Sequence, residues 1–304
     1  MRVGALDLGS NTFLLLIAEV EAGQIKEVIC DHTQVVRLGQ GVGQTRQFHP
    51  EALQRVEQCF AEYRRLMDLH QVEKVRAVAT SAARDAQNKE SFFALGERFG
   101  IPIRVIEGAL EADLTFQGAT MGMPSGPKRV VVDVGGGSTE IIGQSGVHSS
   151  IKGYSLDIGS VRMTEKWISG HPVSLEELRS LRESIDQELK AHQQHLPQGQ
   201  IDQVVAVAGT PTTLACLKMK RDFAEEFVHG LELSVQELEE WLSELAKMSV
   251  EERENLPGMP PKRSDVLVAG LAILIGAVQN LGKDSLTVST RGVRYGLACA
   301  EEWV

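Results

Sequence analysis

The chain has 304 residues, room for two domains with cores of their own, and its 42% hydrophobic and 24% charged residues exclude wholesale disorder, collagen-like repeats and a coiled-coil rod. Thirty-one Lys and Arg stand against 41 Asp and Glu, a formal net charge of -10 that disfavours nucleic acid and anionic membranes as partners, since clustered cations bind both. Residues 225–256 hold ten Glu against Lys247 and Arg253, or -8 of that -10, so the acidity reads as a solvated helical face and leaves a polyanionic ligand admissible.

Short β-prone runs alternate with helical stretches from end to end, the pattern of an α/β protein with mixed or parallel sheets. Strands are expected at Val3–Leu8, Thr12–Glu19 and Ile25–Asp31, then a helix over Pro50–Leu69 and a strand at Lys74–Ala79. A helix over Lys89–Phe99 follows, with Asn88 as its cap and Gly100 as its stop, then a strand at Ile103–Ile106 and a helix over Leu110–Met121. The breaker cluster Met121-Gly-Met-Pro-Ser-Gly-Pro-Lys128 marks a domain boundary, giving residues 1–124 and 125–304, with the last helix able to pack back on the first domain. Beyond it, strands are expected at Val130–Val134, Ser138–Gln144, Val204–Ala208 and Ser285–Val288, and helices over Ser174–Ala191, Ser234–Lys247 and Ser264–Leu281. Capping boxes open the first two of these helices at Ser174 and Ser234. The longest apolar run, Val266–Val278, is thirteen residues against the roughly 20 of a membrane-spanning helix.

The N-terminus meets Asp7 before any cleavage pattern, and Cys30, Cys59, Cys216 and Cys299 form no Cys-x-x-Cys pair. A cytoplasmic protein with reduced thiols is expected. His192 and His195 read as solvated near a helix end, and Trp241 with Leu238, Leu242 and Leu245 as an apolar helical stripe.

An internal echo outweighs any single motif. Ala5-Leu-Asp7-Leu-Gly9-Ser10-Asn11-Thr12 returns as Val131-Val-Asp133-Val-Gly135-Gly136-Gly137-Ser138-Thr139-Glu140, the two Asp lying 126 positions apart. Each is an apolar strand ending in Asp, a glycine turn, a hydroxyl residue and a second apolar strand. Two half-molecules built on this hairpin are expected to place both turns around one cleft. Such turns aim several backbone N–H groups at one point, a concave site for phosphate, and glycine lets the backbone approach the ligand closely. An Asp beside the turn is a hard oxygen ligand for Mg²⁺. The plainer reading is two ordinary hairpins with Asp in its usual turn role. A dinucleotide-binding loop is excluded because Gly135–Gly137 lead into a second strand and not a helix, and the Walker A GK[ST] is absent.

Seven ordered motifs carry a resemblance. Asp7-Leu-Gly-Ser-Asn-Thr12, Ala79-Thr-Ser-Ala-Ala-Arg-Asp-Ala86 with Asn88, Glu111-Ala112, Asp133 to Glu140, Gly159-Ser-Val-Arg162, Gly209-Thr-Pro-Thr-Thr213 and the set Ser289, Gly292, Arg294, Gly296 together resemble the exopolyphosphatase/guanosine-pentaphosphatase (Ppx/GppA) family. The resemblance runs from residue 3 to about residue 297. It implies a two-domain actin-like, Hsp70-like and sugar-kinase-like (ribonuclease H-like) α/β fold with internal duplication. It also implies Mg²⁺-dependent release of a terminal phosphate from inorganic polyphosphate or from guanosine pentaphosphate (pppGpp), and a homodimer. The longer members' C-terminal HD-type helical domain is expected to be missing.

By the same resemblance, Ser10, Asn11 and Thr12 form one phosphate clamp and Gly136, Gly137, Ser138 and Thr139 the other, with Asp7 and Asp133 at the metal. Glu111 matches the family's catalytic glutamate, and Glu140 is the second candidate. Arg84 suits bidentate phosphate binding, and Arg37 and Arg294 are further candidates, although Tyr295 replaces the glutamate that usually follows the latter. The alternatives are helix-entry pairing of Arg84 with Asp85 or Glu107, and an ordinary first-turn carboxylate at Glu111. At the level of function, an ATP-driven chaperone or filament protein and a non-catalytic (p)ppGpp-binding module compete with the phosphohydrolase.

Overall fold

A computed structural model describes residues 1–145 and 150–300. They fall into two compact units: Met1–Gly118 together with the residues from Val293 on, and Ala119–Gly292.

The first unit is built on β1 (Arg2–Leu8), β2 (Thr12–Glu21), β3 (Gln24–Val35), β4 (Lys74–Ala79) and β5 (Ile103–Val105), in the order β3-β2-β1-β4-β5. The first three are antiparallel neighbours, while β4 runs parallel to β1 and β5 parallel to β4. The second unit holds β6 (Arg129–Val134), β7 (Thr139–Ser145), β8 (Ser150–Leu156), β9 (Gln203–Val207), β10 (Glu232–Ser234) and β11 (Ser285–Val288), in the order β10-β11-β9-β6-β7-β8. Taken from its hairpin, β8-β7-β6-β9-β11 repeats both the order and the strand senses of β3-β2-β1-β4-β5, with β10 added antiparallel at the edge. The expected duplicated α/β fold is therefore written in the sheets themselves.

Each unit buries its own core. Leu6, Leu8, Leu15 and Ile17 of β1 and β2 meet Phe60, Tyr63 and Phe92, and the Phe13 and Phe60 rings stack at 5.8 Å. In the second unit the apolar run becomes a helix, Leu267–Asn280, buried on nearly every side, as a helix apolar all round must be. Among the described residues no helix is long and apolar enough to cross a membrane. The four cysteines are free, and burial pushes the Cys59 thiol up to about 12.

Several expectations need correction. Asn88 does not cap the helix Glu90–Arg98: its side chain accepts from Phe48 N at 2.7 Å and donates to Phe48 O at 3.1 Å, and the cap position is Lys89. The chain passes between units at Gly118–Ala119, ahead of the breaker cluster, because Ser289 Oγ donates to Ala119 O at 2.9 Å and Arg291 Nη1 to Met121 O at 3.3 Å. Helices at Ser160–Trp167, Gly209–Met219 and Val293–Cys299 and the strands β8 and β10 were not anticipated. The motif Gly209-Thr-Pro-Thr-Thr213 opens one of these helices, and Pro211 sits in its first turn, where its missing N–H costs nothing.

Nor is the acidic stretch simply a solvated face. Glu237 accepts from Ser234 and pairs with Lys218 at 2.6 Å, Glu239 takes both Arg182 nitrogens at 2.7 Å, and Glu252 completes a capping box with Ser249. Arg253, fully buried, donates to the carbonyls of Leu245, Met248 and Ser264.

Two capping carboxylates make stability depend on pH. The Ser169 N–H, with Ser169 and Ser174 hydroxyls, pulls Glu177 down to about 2, and Lys218 with Ser234 does the same to Glu237. Both folded values lie below the ordinary 4.5, so the stabilisation is present above pH 4.5 and is lost as pH falls toward 2. Thermal unfolding of the double variant Glu177→Gln, Glu237→Gln should show a lower Tm than the parent at pH 7, with the gap closing between pH 4.5 and 2. A gap that does not change with pH would contradict this.

Candidate functional site

The two glycine turns are closed by the same bond. Gly9 N donates to Thr12 O at 3.1 Å and Gly135 N to Ser138 O at 3.0 Å, and a Cβ built on either glycine would stand 3.0 Å from that same oxygen. In register, Asp7 lies opposite Leu14, and Asp133 opposite Glu140.

Behind each turn, other backbone groups hold its carbonyls. Ser10 O accepts from Gly39 N at 2.7 Å, and Asn11 O accepts from Val36 N at 3.0 Å and Arg37 N at 2.8 Å. In the second unit the helix Ser160–Trp167 supplies the donors: Ser160 N to Gly135 O at 2.9 Å, Val161 N to Gly136 O at 2.9 Å, and Arg162 Nε to Gly137 O at 2.7 Å. In a planar trans peptide the N–H points opposite to the C=O. Tying the carbonyls back therefore turns the N–H groups of Asn11, Gly136 and Gly137 outward, and among the described residues these three donate no hydrogen bond within the protein. Backbone amides so displayed make an anion-binding concavity.

Side chains extend the first turn. Ser10 Oγ lies 2.8 Å from Ser81 Oγ and accepts from Ala82 N at 3.3 Å, which brings the short helix Ser81–Asp85 to the turn. On that helix Arg84 Nη1 donates to Ile106 O and to Glu111 Oε2, each at 2.8 Å. Glu111 sits in the first turn of the helix Gly108–Ala119 and is 8% exposed. Arg84 thus pairs with Glu111, not with Asp85 or Glu107, and among the described residues its Nε and Nη2 donate no hydrogen bond. In the second unit Glu140 is buried beside Asp133 and accepts from Ser155 Oγ at 2.7 Å.

Of the anticipated residues, Asp7, Ser10, Asn11, Thr12, Arg84 and Glu111 gather in the first unit, and Asp133, Gly136, Gly137, Ser138 and Glu140 in the second. Arg37 contributes through its backbone, which takes a left-handed conformation (φ 54°) to reach Asn11 O. Two residues are engaged elsewhere. Thr139 is fully buried with its hydroxyl donating to Ile158 O, at the register position that Phe13 fills in the first hairpin. Arg294 gives Nε and Nη2 to the two Asp31 oxygens at 2.9 and 2.7 Å. Burial opposes its charge, but Asp31, supported by Tyr295 and Asp7, holds its pKa above the ordinary arginine value. Sequence reasoning missed Gly159 and Arg162 as the backing of the second turn, although the motif containing them was visible.

Among the described residues no group of three or more His, Cys, Asp or Glu could cage a metal. Within the second unit, Asp133 with Glu140 across the ladder matches the one or two carboxylates of a Mg²⁺ site otherwise completed by water and substrate phosphates; within the first, Asp7 stands beside its own turn.

A profile of the Ppx/GppA phosphatase family matches residues 16–302. The chain is 38% identical over 312 residues to Exopolyphosphatase 2 of Mycobacterium tuberculosis, covering 98% of this chain and 97% of that one. It superposes on the crystal structure of an exopolyphosphatase-like protein with a TM-score of 0.91 at 30% identity, over 98% and 96% of the two chains. For an exopolyphosphatase from Cytophaga hutchinsonii the TM-score is 0.85 at 27% identity, over 97% and 96%.

Gly159 gives a direct test of the second turn. A Cβ there would overlap Gly136 O, so Gly159→Ala must push the turn away from its backing. Isothermal titration with tripolyphosphate should show affinity weakened by about tenfold or more, the worth of one charge-assisted hydrogen bond, in a protein with parental circular dichroism. Unchanged affinity would separate the turn from anion binding.

Proposed function

The chain belongs to the Ppx/GppA phosphatase family, and from that premise we propose an exopolyphosphatase that releases the terminal phosphate of inorganic polyphosphate by attack of water. The observation that carries this reading is the pair of turns whose N–H groups are forced outward, one of them joined through Ser81 to the Arg84–Glu111 pair. Phosphoryl transfer to water asks for a held phosphate chain, neutralised charge and a group that orients or deprotonates the nucleophile.

Ser10, Asn11 and Thr12, and Gly136, Gly137 and Ser138, bind phosphate oxygens through backbone N–H and hydroxyl groups. Arg84, with Nη1 committed to Glu111 and Ile106 O, offers Nε and Nη2 to the terminal phosphate. Glu111 accepts a proton from water as the water oxygen bonds to the terminal phosphorus. The anhydride P–O bond breaks and its electron pair leaves with the shortened chain. A Mg²⁺ ion would be held by the carboxylate beside a turn, Asp7 in the first unit or Asp133 with Glu140 in the second, and would neutralise phosphate charge. Thr139 and Arg294 are left out of the phosphate-binding set because their polar groups are committed to Ile158 O and Asp31.

The turns and Arg84 recognise the end of a phosphate chain and not what is attached behind it, which keeps guanosine pentaphosphate as the competing substrate. Comparing kcat/KM for polyphosphates of several lengths and for pppGpp decides between them. Glu111→Gln should stay folded and slow phosphate release from polyphosphate by roughly 10² to 10⁴, the usual worth of a general base. Arg84→Ala should raise KM. A parental rate in Glu111→Gln would remove Glu111 from the reaction, and no release from any phosphate substrate by the parent would favour a binding module.

A further inference from the structure

The last motif, Ser289, Gly292, Arg294 and Gly296, leads into the seven-residue helix Val293–Cys299, which the proposed reaction does not use. The helix is fastened within the first unit at both ends. At its start Arg294 holds the two Asp31 oxygens of β3, and Tyr295 Oη adds a third bond to Asp31 Oδ2 at 3.1 Å. At its end Arg76 of β4, 3% exposed, donates Nη1 to Leu297 O at 2.9 Å and Ala298 O at 2.7 Å, a cation on the carbonyls where a helix most favours one.

Between these anchors lies Gly296, pressed against the backbone of Leu114. A Cβ at Gly296 would overlap Leu114 O and stand 2.9 Å from its carbonyl carbon and 3.0 Å from its Cα. Leu114 belongs to the helix Gly108–Ala119, three residues beyond Glu111 and so about 4.5 Å further along the axis. The neighbour is backbone, so no side chain can swing aside to make room. Gly292, in the same motif, is different: a Cβ there meets nothing within 4 Å.

We infer that Gly296 is a positioning residue for Glu111: held still by Asp31–Arg294 and Arg76, it sets how closely the Glu111 helix seats in the first unit. This rests on the reading of Glu111 as the base. A methyl at Gly296 displaces that helix by on the order of 1 Å, and a misplacement of that size costs roughly 10²-fold in rate. The loss falls on kcat, because the turns that bind phosphate are carried by other elements.

The test is steady-state phosphate release from polyphosphate by Gly296→Ala, alone and combined with Glu111→Gln, with Gly292→Ala as the control. The inference expects kcat to fall roughly 10²-fold with KM within about twofold, a parental Gly292→Ala, and less than about a twofold further loss when Gly296→Ala is added to Glu111→Gln. A parental kcat in Gly296→Ala, or an equal loss in the Glu111→Gln background, overturns it, the latter by showing general loosening. If Glu111→Gln itself keeps the parental rate, the base assignment falls and takes the inference with it. A slow Glu111→Gln with a parental Gly296→Ala sinks the positioning role alone. Should Gly296→Ala fail to fold, Asp31→Asn loosens the same helix without overpacking it. About a tenfold loss of kcat, absent in the Glu111→Gln background, then supports the inference, and a parental kcat refutes it.

Discussion

The restraint on which the site depends is the hydrogen bonding behind the two turns. A peptide unit has one oxygen and one N–H on opposite sides, so whatever captures the oxygen decides where the donor points. In the first unit the strand-following residues Val36, Arg37 and Gly39 do the capturing, and in the second the N-terminal residues of the helix Ser160–Trp167 do it. The two halves reach one result with unrelated partners. Donors made of backbone carry no side-chain entropy to lose, and an anion arriving there would meet them already aimed.

Much of this was legible because it is local. The echo between Asp7-Leu-Gly9 and Asp133-Val-Gly135 announced two equivalent hairpins, and the sheets carry that equivalence through five strands. Glu111 and Arg84 were readable as candidates, though their mutual bond was not, since 27 residues separate them. What escaped depends on facing. Thr139 looks like a ligand-binding hydroxyl in a glycine-rich stretch, but strand alternation turns it into the core, where Phe13 stands in the first hairpin. Arg294 looks like a phosphate arginine until Asp31, 263 residues away, is found on its guanidinium. Asn88 has a good cap composition, and a loop residue 40 positions earlier claims its side chain.

The charge tells a similar story. A run of glutamates suggests a surface shaped for solubility, yet several of them hold helix starts and arginines in place. Because those carboxylates are engaged, the negative total says little about which ligands the protein admits. Selectivity for an anion is decided by a few donors at short range, where fixed dipoles and a guanidinium outweigh distant, screened charges.

The repeated sheets also give the helix Val293–Cys299 a counterpart. Each follows the fifth strand of its repeat: Gly108–Ala119 comes after β5, and Val293–Cys299 after β11. The close approach of Gly296 to Leu114 is thus a meeting of the two helices that hold equivalent places in the repeat. One has a carboxylate in its first turn, Glu111, and the other has no side chain where the two cross. Equivalent places in the repeat are thus filled differently: one helix carries Glu111, and the other comes against its backbone at Gly296.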